Sequence, residues 1–99
     1  MANNKIIDFH VHIYPPEIIR DCEKISENEP YFNALIHNKV HKWANLEDLL
    51  LRMQRDNITR AIIFGFAFRD MGLCKICNDY IIDCVKKFPY KLTGLCVVP

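Results

Sequence analysis

Residues 60–65, Arg60-Ala61-Ile62-Ile63-Phe64-Gly65, form a short and almost wholly apolar run between two stretches of helical spacing. Such a run is the mark of a strand covered on both faces, as the strands of a parallel sheet are. A strand precedes it at residues 6–13, where Ile7, Phe9, Val11 and Ile13 alternate with Asp8, His10 and His12, so that one face is apolar and the other polar. A third strand follows at residues 92–98. Strand, helix, strand, helix, strand is the order of parallel βαβ units with right-handed crossovers. The predicted fold class is therefore α/β, a parallel βαβαβ arrangement.

The elements between the strands carry their own signals. Pro15-Pro16 ends the first strand, because proline has no N–H for the ladder, and Pro16 opens a short helix with Ile18, Ile19, Cys22 and Ile25 as its buried stripe. Over residues 26–43 the pattern dissolves into polar residues and scattered aromatics, a connection longer than most, of the kind that often serves as a functional lid. At Asn45 a helix begins, with Asp48 three residues on as in a capping box and Leu46, Leu49, Leu50 and Met53 at helical spacing. Arg52 and Arg55 suit its negative end, and Asn57 suits a left-handed terminating residue. Leu73, Ile76, Cys77, Tyr80, Ile81, Cys84, Val85 and Phe88 then recur at steps of three and four, an amphipathic helix that stops before Pro89.

Composition narrows the partners. A hydrophobic share of 51% and a charged share of 25% are those of ordinary globular proteins, and 99 residues fit one small domain with a thin stability margin. The formal charge is +1 and the one adjacent basic pair is Lys86-Lys87, which gives no footprint for nucleic acid or an anionic membrane, so small molecules are the expected partners. The first five residues lead into a strand rather than a signal-peptide hydrophobic region, and no span long enough for a membrane follows. Five cysteines, an odd and sparse set, read as free thiols in a reducing cytoplasm.

His10 and His12 carry the chemistry. Two apart on one strand face, both imidazoles are able to point at one ion from a rigid element, and imidazole suits zinc and other borderline divalent metals. Asp8, on the same predicted face, is a candidate outer hydrogen-bond acceptor to that pair. The bland alternative is a polar strand edge facing water. Position argues against it, because both histidines sit at the C-terminal end of a first strand in a βαβαβ order, where barrel enzymes build their sites.

Ile7-Asp8-Phe9-His10-Val11-His12-Ile13-Tyr14-Pro15 resembles the first-strand motif of the amidohydrolase superfamily, in particular the branch of aminocarboxymuconate-semialdehyde decarboxylase. Residues 50–64 are similar to that branch's passage from first helix to second strand, and residues 78–94 with Val97-Val98-Pro99 to its passage from second helix to third strand. The resemblance implies a TIM-like (β/α)8 barrel, of which residues 1–99 would be the incomplete N-terminal part. It implies a divalent metal, zinc foremost, held by His10 and His12 together with a histidine and an aspartate from later strands. The implied activity is metal-assisted hydrolysis of a small cyclic or carboxylated substrate, with non-oxidative decarboxylation as the alternative.

The chain departs from the family by ending after a third strand, where a barrel has about eight. A truncated, non-catalytic fragment is therefore a second class of function, and its open sheet edges would favour self-association. A third class is a thiol module built on Cys74-Lys75-Ile76-Cys77, which the apolar positions of Cys77 and Cys84 oppose. A phosphoesterase with a His-x-His strand would need further acidic and histidine clusters. The remaining histidines, His37 and His41, fall in the irregular segment, where a surface role is expected and contact with substrate or a lid is the alternative.

Overall fold

The structure of the chain, a computed structural model, describes residues 5–99. The expectation that the N-terminus holds no signal peptide falls mostly on residues 1–4, outside the described residues. Strands β1 (Ile7–His12), β2 (Arg60–Phe64) and β3 (Leu92–Gly94) form one parallel sheet in the order β1-β2-β3. Helices α4 (Leu46–Arg55) and α5 (Met71–Lys87) make the two crossovers, as the periodicities predict. Among the described residues no helix is long and apolar enough to cross a membrane.

One face of the sheet packs on those helices. Val11, Ile13, Ala61, Ile63 and Leu92 from the strand side meet Leu49 and Met53 of α4 and Ile81 and Cys84 of α5 in a buried cluster. The other face of β2 is not covered in the same way, for Ile62 and Phe64 are only half-buried. This corrects the expectation from the apolar run: its helix-side residues are buried, while the opposite side borders the sheet's open face.

Helix α4 starts where its capping box requires. Asn45 Oδ1 accepts from the Asp48 amide and Asp48 Oδ2 accepts from the Asn45 amide, both at 3.0 Å. A cap of this kind contributes on the order of 1 kcal/mol. Asn57, at φ 55°, takes the left-handed conformation just past the helix end. In α5 the buried stripe is Cys74, Cys77, Ile81 and Cys84. Ile76, predicted on that stripe, is exposed, because it lies about 100° round the helix from Cys77.

The segment without a period is ordered by tertiary contacts. After α1 (Pro16–Arg20) and α2 (Cys22–Ser26), separated by a turn at Asp21, comes α3 (Pro30–Ile36). A second buried cluster joins Tyr14, Ile18 and Phe32 to Phe68, Cys74 and Cys77, with Ile19, Cys22, Ile25 and Trp43 packed against it. The buried Glu29 carboxylate accepts from the amides of Arg69 at 2.7 Å and Asp70 at 3.0 Å, tying this segment to the start of α5.

Two strand expectations need correction. The third strand pairs only over Leu92–Gly94. Beyond it Leu95 still donates to the Ile63 carbonyl at 2.9 Å, but the Asn78 side-chain amide then takes both the N–H and the C=O of Val97, replacing a strand partner. In β1 the alternation does not run straight through: β1 advances three residues from Asp8 to Val11 while β2 advances two, from Ala61 to Ile63. This one-residue shift re-aims the side chains on either side of it. Ile7 and Phe9, predicted on the core face, are 44% and 71% exposed.

Candidate functional site

The shift in β1 separates Asp8 from the two histidines. Asp8 pairs in register with Ala61, whose side chain lies in the helix-side core, and its carboxylate stands 3.8 Å from Arg52 of α4. Its other oxygen accepts from the His10 backbone amide at 3.2 Å, and it bonds neither imidazole. The predicted role of Asp8 as an acceptor for the imidazoles is thus not what the geometry gives, and the reason is the register shift.

His10 and His12 do come together. Their Nε2 atoms are 3.1 Å apart at the end of β1. On the far side of the half-buried His12 ring, Nδ1 lies 3.0 Å from the Gly65 carbonyl oxygen. A carbonyl only accepts, so we assign the ring proton to Nδ1, which leaves the Nε2 lone pair free to point at a partner. Phe64, the register partner of His12, sets its ring edge-on to both imidazoles, with centroids 4.9 Å from His10 and 4.4 Å from His12. Burial pushes the His12 pKa below the usual imidazole value against the pull of the Gly65 carbonyl, and the neighbouring His10 adds to the lowering. All of this favours a neutral, oriented ring, the state in which imidazole binds metal.

The pair fits a divalent ion in donor chemistry and spacing. Two zinc–nitrogen bonds of about 2.0–2.1 Å at a tetrahedral angle place their nitrogens roughly 3.3–3.4 Å apart, close to the separation in the structure. Among the described residues, however, no group of three or more His, Cys, Asp or Glu side chains is gathered for a metal.

The other two histidines differ from each other. His37 is exposed, as predicted, and stands 3.3 Å from Glu23. His41 is half-buried: its ring packs edge-on to Trp43 at 4.5 Å, and its Nε2 is buried without a hydrogen-bond partner among the described residues. Leaving such a group unpaired costs about 1–3 kcal/mol. His41 lines a cleft of about 370 Å³ that it shares with His12, so it is less exposed than a plain surface role implies. A larger hollow of about 730 Å³ lies among Ile6, Met53 and residues 56–59 near the opposite strand ends; no imidazole or thiol lines it, and we assign it no chemistry.

All five cysteines are free, and Cys74 and Cys77 are buried. Burial raises both thiols, Cys77 to about 11, which is the reverse of a reactive redox pair. Titration with an aromatic disulfide reagent at pH 8 is expected to label the exposed Cys96 first and the half-buried Cys22 more slowly, while Cys74, Cys77 and Cys84 react only on unfolding. Rapid labelling of the Cys74–Cys77 pair in folded protein would restore the thiol-module reading.

Phe64 and Gly65 are the site residues that sequence reasoning missed. Both were legible in principle, since they end the second strand at the level where the first strand ends with His12. No family model matches the chain, and no curated protein matches it in sequence. Among solved structures it is similar to 4-oxalomesaconate hydratase from Rhodopseudomonas palustris, with a TM-score of 0.57 and 22% identity over 92% of this chain. The chain spans 31% of that hydratase's length. At this identity the likeness is one of fold: the chain is an α/β unit with a three-stranded parallel sheet.

Proposed function

We propose that this chain forms the metal-holding first strand and adjoining units of a metal-dependent hydrolase of the amidohydrolase superfamily, acting on a small cyclic or carboxylated substrate. The observation that carries the proposal is the His10–His12 pair, whose Nε2 atoms lie 3.1 Å apart while the Gly65 carbonyl orients the His12 ring. A divalent metal, zinc foremost, supplies when bound a water of lowered pKa and a Lewis acid for the attacked carbon. His10 and His12 would hold it through Nε2, and Phe64 and Gly65 keep both rings from turning away. The likeness to a hydratase favours reactions in which water is the reacting group, hydration or hydrolysis, over loss of carbon dioxide.

Two imidazoles fall short of the three protein ligands typical of catalytic zinc. The 99-residue chain by itself is therefore expected to bind zinc weakly, at one ion per chain, and to turn over no substrate. Calorimetric titration in a Cys96→Ser background, which removes the exposed thiol, checks this against the His10→Ala/His12→Ala double substitution. Loss of the binding isotherm in the double variant is the expected result; an isotherm that the substitutions leave unchanged would overturn the assignment of the pair.

A further inference from the structure

Residues 38–43, Asn38-Lys39-Val40-His41-Lys42-Trp43, set one imidazole between two lysines with no acid beside it. The chain turns tightly here, with the Val40 amide donating to Asn38 Oδ1 and the His41 amide to the Asn38 carbonyl, both at 3.0 Å. The His41 ring lies edge-on to Trp43, centroids 4.5 Å apart, and Trp43 lies edge-on to the buried Tyr14 at 5.1 Å. The Tyr14 amide donates to the Ala44 carbonyl at 3.1 Å, which pins the segment just past the end of β1. We propose that His41 is an acid-operated latch: while its ring is neutral, residues 37–44 stay closed against the end of β1, and its protonation releases them.

The two ring nitrogens differ in their surroundings. Among the described residues Nε2 is the one buried side-chain nitrogen or oxygen without a hydrogen-bond partner, so Nδ1, which has none there either, lies where water reaches it. We therefore assign the proton of the neutral ring to Nδ1, which turns the Nε2 lone pair inward. Charging the ring adds a proton at Nε2, an N–H donor aimed at no acceptor and carrying charge out of water. An unmade bond to a buried charged group costs more than one to a neutral group. In the released segment both N–H groups meet water, and that cost disappears.

The neighbours offer a cation no compensation. His12 and Tyr14 face the cleft from the end of β1 and Lys42 from the segment itself, while α3 and the chain after β2 contribute the uncharged Leu35 and Phe66; among the described residues no Asp or Glu lines it. The His12 nitrogens are turned to Gly65 and His10, so His41 titrates apart from that pair. His37, at the start of the same stretch, stands 3.3 Å from Glu23, and protonation there would tighten the segment instead of freeing it. Burial holds the His41 pKa below the ordinary imidazole value of 6.5. The closed state thus has its full advantage above pH 6.5. As pH falls through that value the open state gains, by up to about tenfold per pH unit, until the closed ring protonates as well.

Amide hydrogen exchange of the chain in EDTA, corrected at each pH for the intrinsic rate of an unprotected amide, tests the latch. Between pH 7.5 and 5.0 the protection of the Tyr14 and His41 amides is expected to fall at least fivefold, in step with the titration of the His41 ring resonances. The Ala61 amide, which donates to the Lys91 carbonyl at 2.9 Å across the sheet, should keep its protection. Acrylamide quenching of Trp43 should rise over the same range as one side of its ring is uncovered. His41→Phe keeps a ring against Trp43 without a titrating nitrogen and should hold protection level with pH, while His37→Asn and the His10→Ala/His12→Ala double substitution should keep the fall. If His41→Phe does not fold, the wild-type chain decides: loss of protection must track the His41 titration. Protection that stays level in the wild type, falls equally in His41→Phe, falls at Ala61 as well, or needs His37 or the histidine pair would each overturn the proposal. No metal is present in these measurements, so their failure leaves the zinc result standing, and a failed zinc titration leaves the latch standing.

Discussion

Phe32→Ala is expected to remove about 3–5 kcal/mol of stability, the range for truncating a buried aromatic, from a small domain whose total is of the order of 5–15 kcal/mol. Phe32 is fully buried and lies at the centre of the second cluster, its ring centroid 4.8 Å from Phe68, 5.4 Å from Phe66 and 6.1 Å from Trp43. Removing it leaves a void whose walls are rings on two separate segments, residues 66–68 and Trp43, so no single movement closes it. Because Trp43 is the only tryptophan and packs on this cluster, urea denaturation followed by its fluorescence reads the loss directly. The adjacent Tyr31, 79% exposed, provides the control: Tyr31→Ala should stay within about 0.5 kcal/mol of wild type. A loss below about 1 kcal/mol for Phe32→Ala would show that residues 26–43 are not held by this packing.

That segment is also where the sequence is least legible. Its helix, α3, has no period to announce it, since what orders the segment lies far along the chain: Glu29 is fixed by amides some 40 residues on, and Phe32 by rings at Phe66 and Phe68. The elements with local signals were read correctly. The Asn45–Asp48 box, the left-handed Asn57 and the three-and-four spacing of α5 each act within a turn or two, so each is written where it acts.

In the candidate site, pattern and geometry part company at one peptide unit. Alternation alone put Asp8, His10 and His12 on a single face, and the register shift between Asp8 and Val11 turns Asp8 toward Arg52 instead. No side chain in Ile7-Asp8-Phe9-His10 marks such a shift, because it is set by how β1 must meet β2. The histidine pair survives because it lies beyond the shift, level with Phe64 and Gly65. For His41 the sequence leaves a surface role and a lid or substrate contact both open, because a lone histidine in an irregular stretch carries no signal of the Trp43 ring that packs on it.

Gly65→Ala is expected to damage packing and site together. A Cβ at Gly65 would stand 2.6 Å from Cys77 Cβ and 3.2 Å from its Sγ, atoms next to the backbone of a 17-residue helix that have no room to rotate aside. The Gly65 backbone must therefore shift, and its carbonyl is the acceptor that orients His12. Overpacking of this kind costs about 1–3 kcal/mol, and loss of a hydrogen bond that orients a metal-ligating histidine lowers metal affinity roughly 10- to 100-fold. Gly94→Ala separates the two effects. Its Cβ would meet Ile81 Cγ2 at 2.7 Å and Val85 Cγ2 at 3.0 Å, a comparable clash with α5, yet Gly94 lies on β3 and bonds neither histidine. Both variants should lose stability in urea denaturation, while only Gly65→Ala should lose zinc affinity in calorimetry below the unfolding range. Equal loss of zinc affinity in the two would mean that general loosening of the sheet, and not the Gly65 carbonyl, governs the imidazole pair.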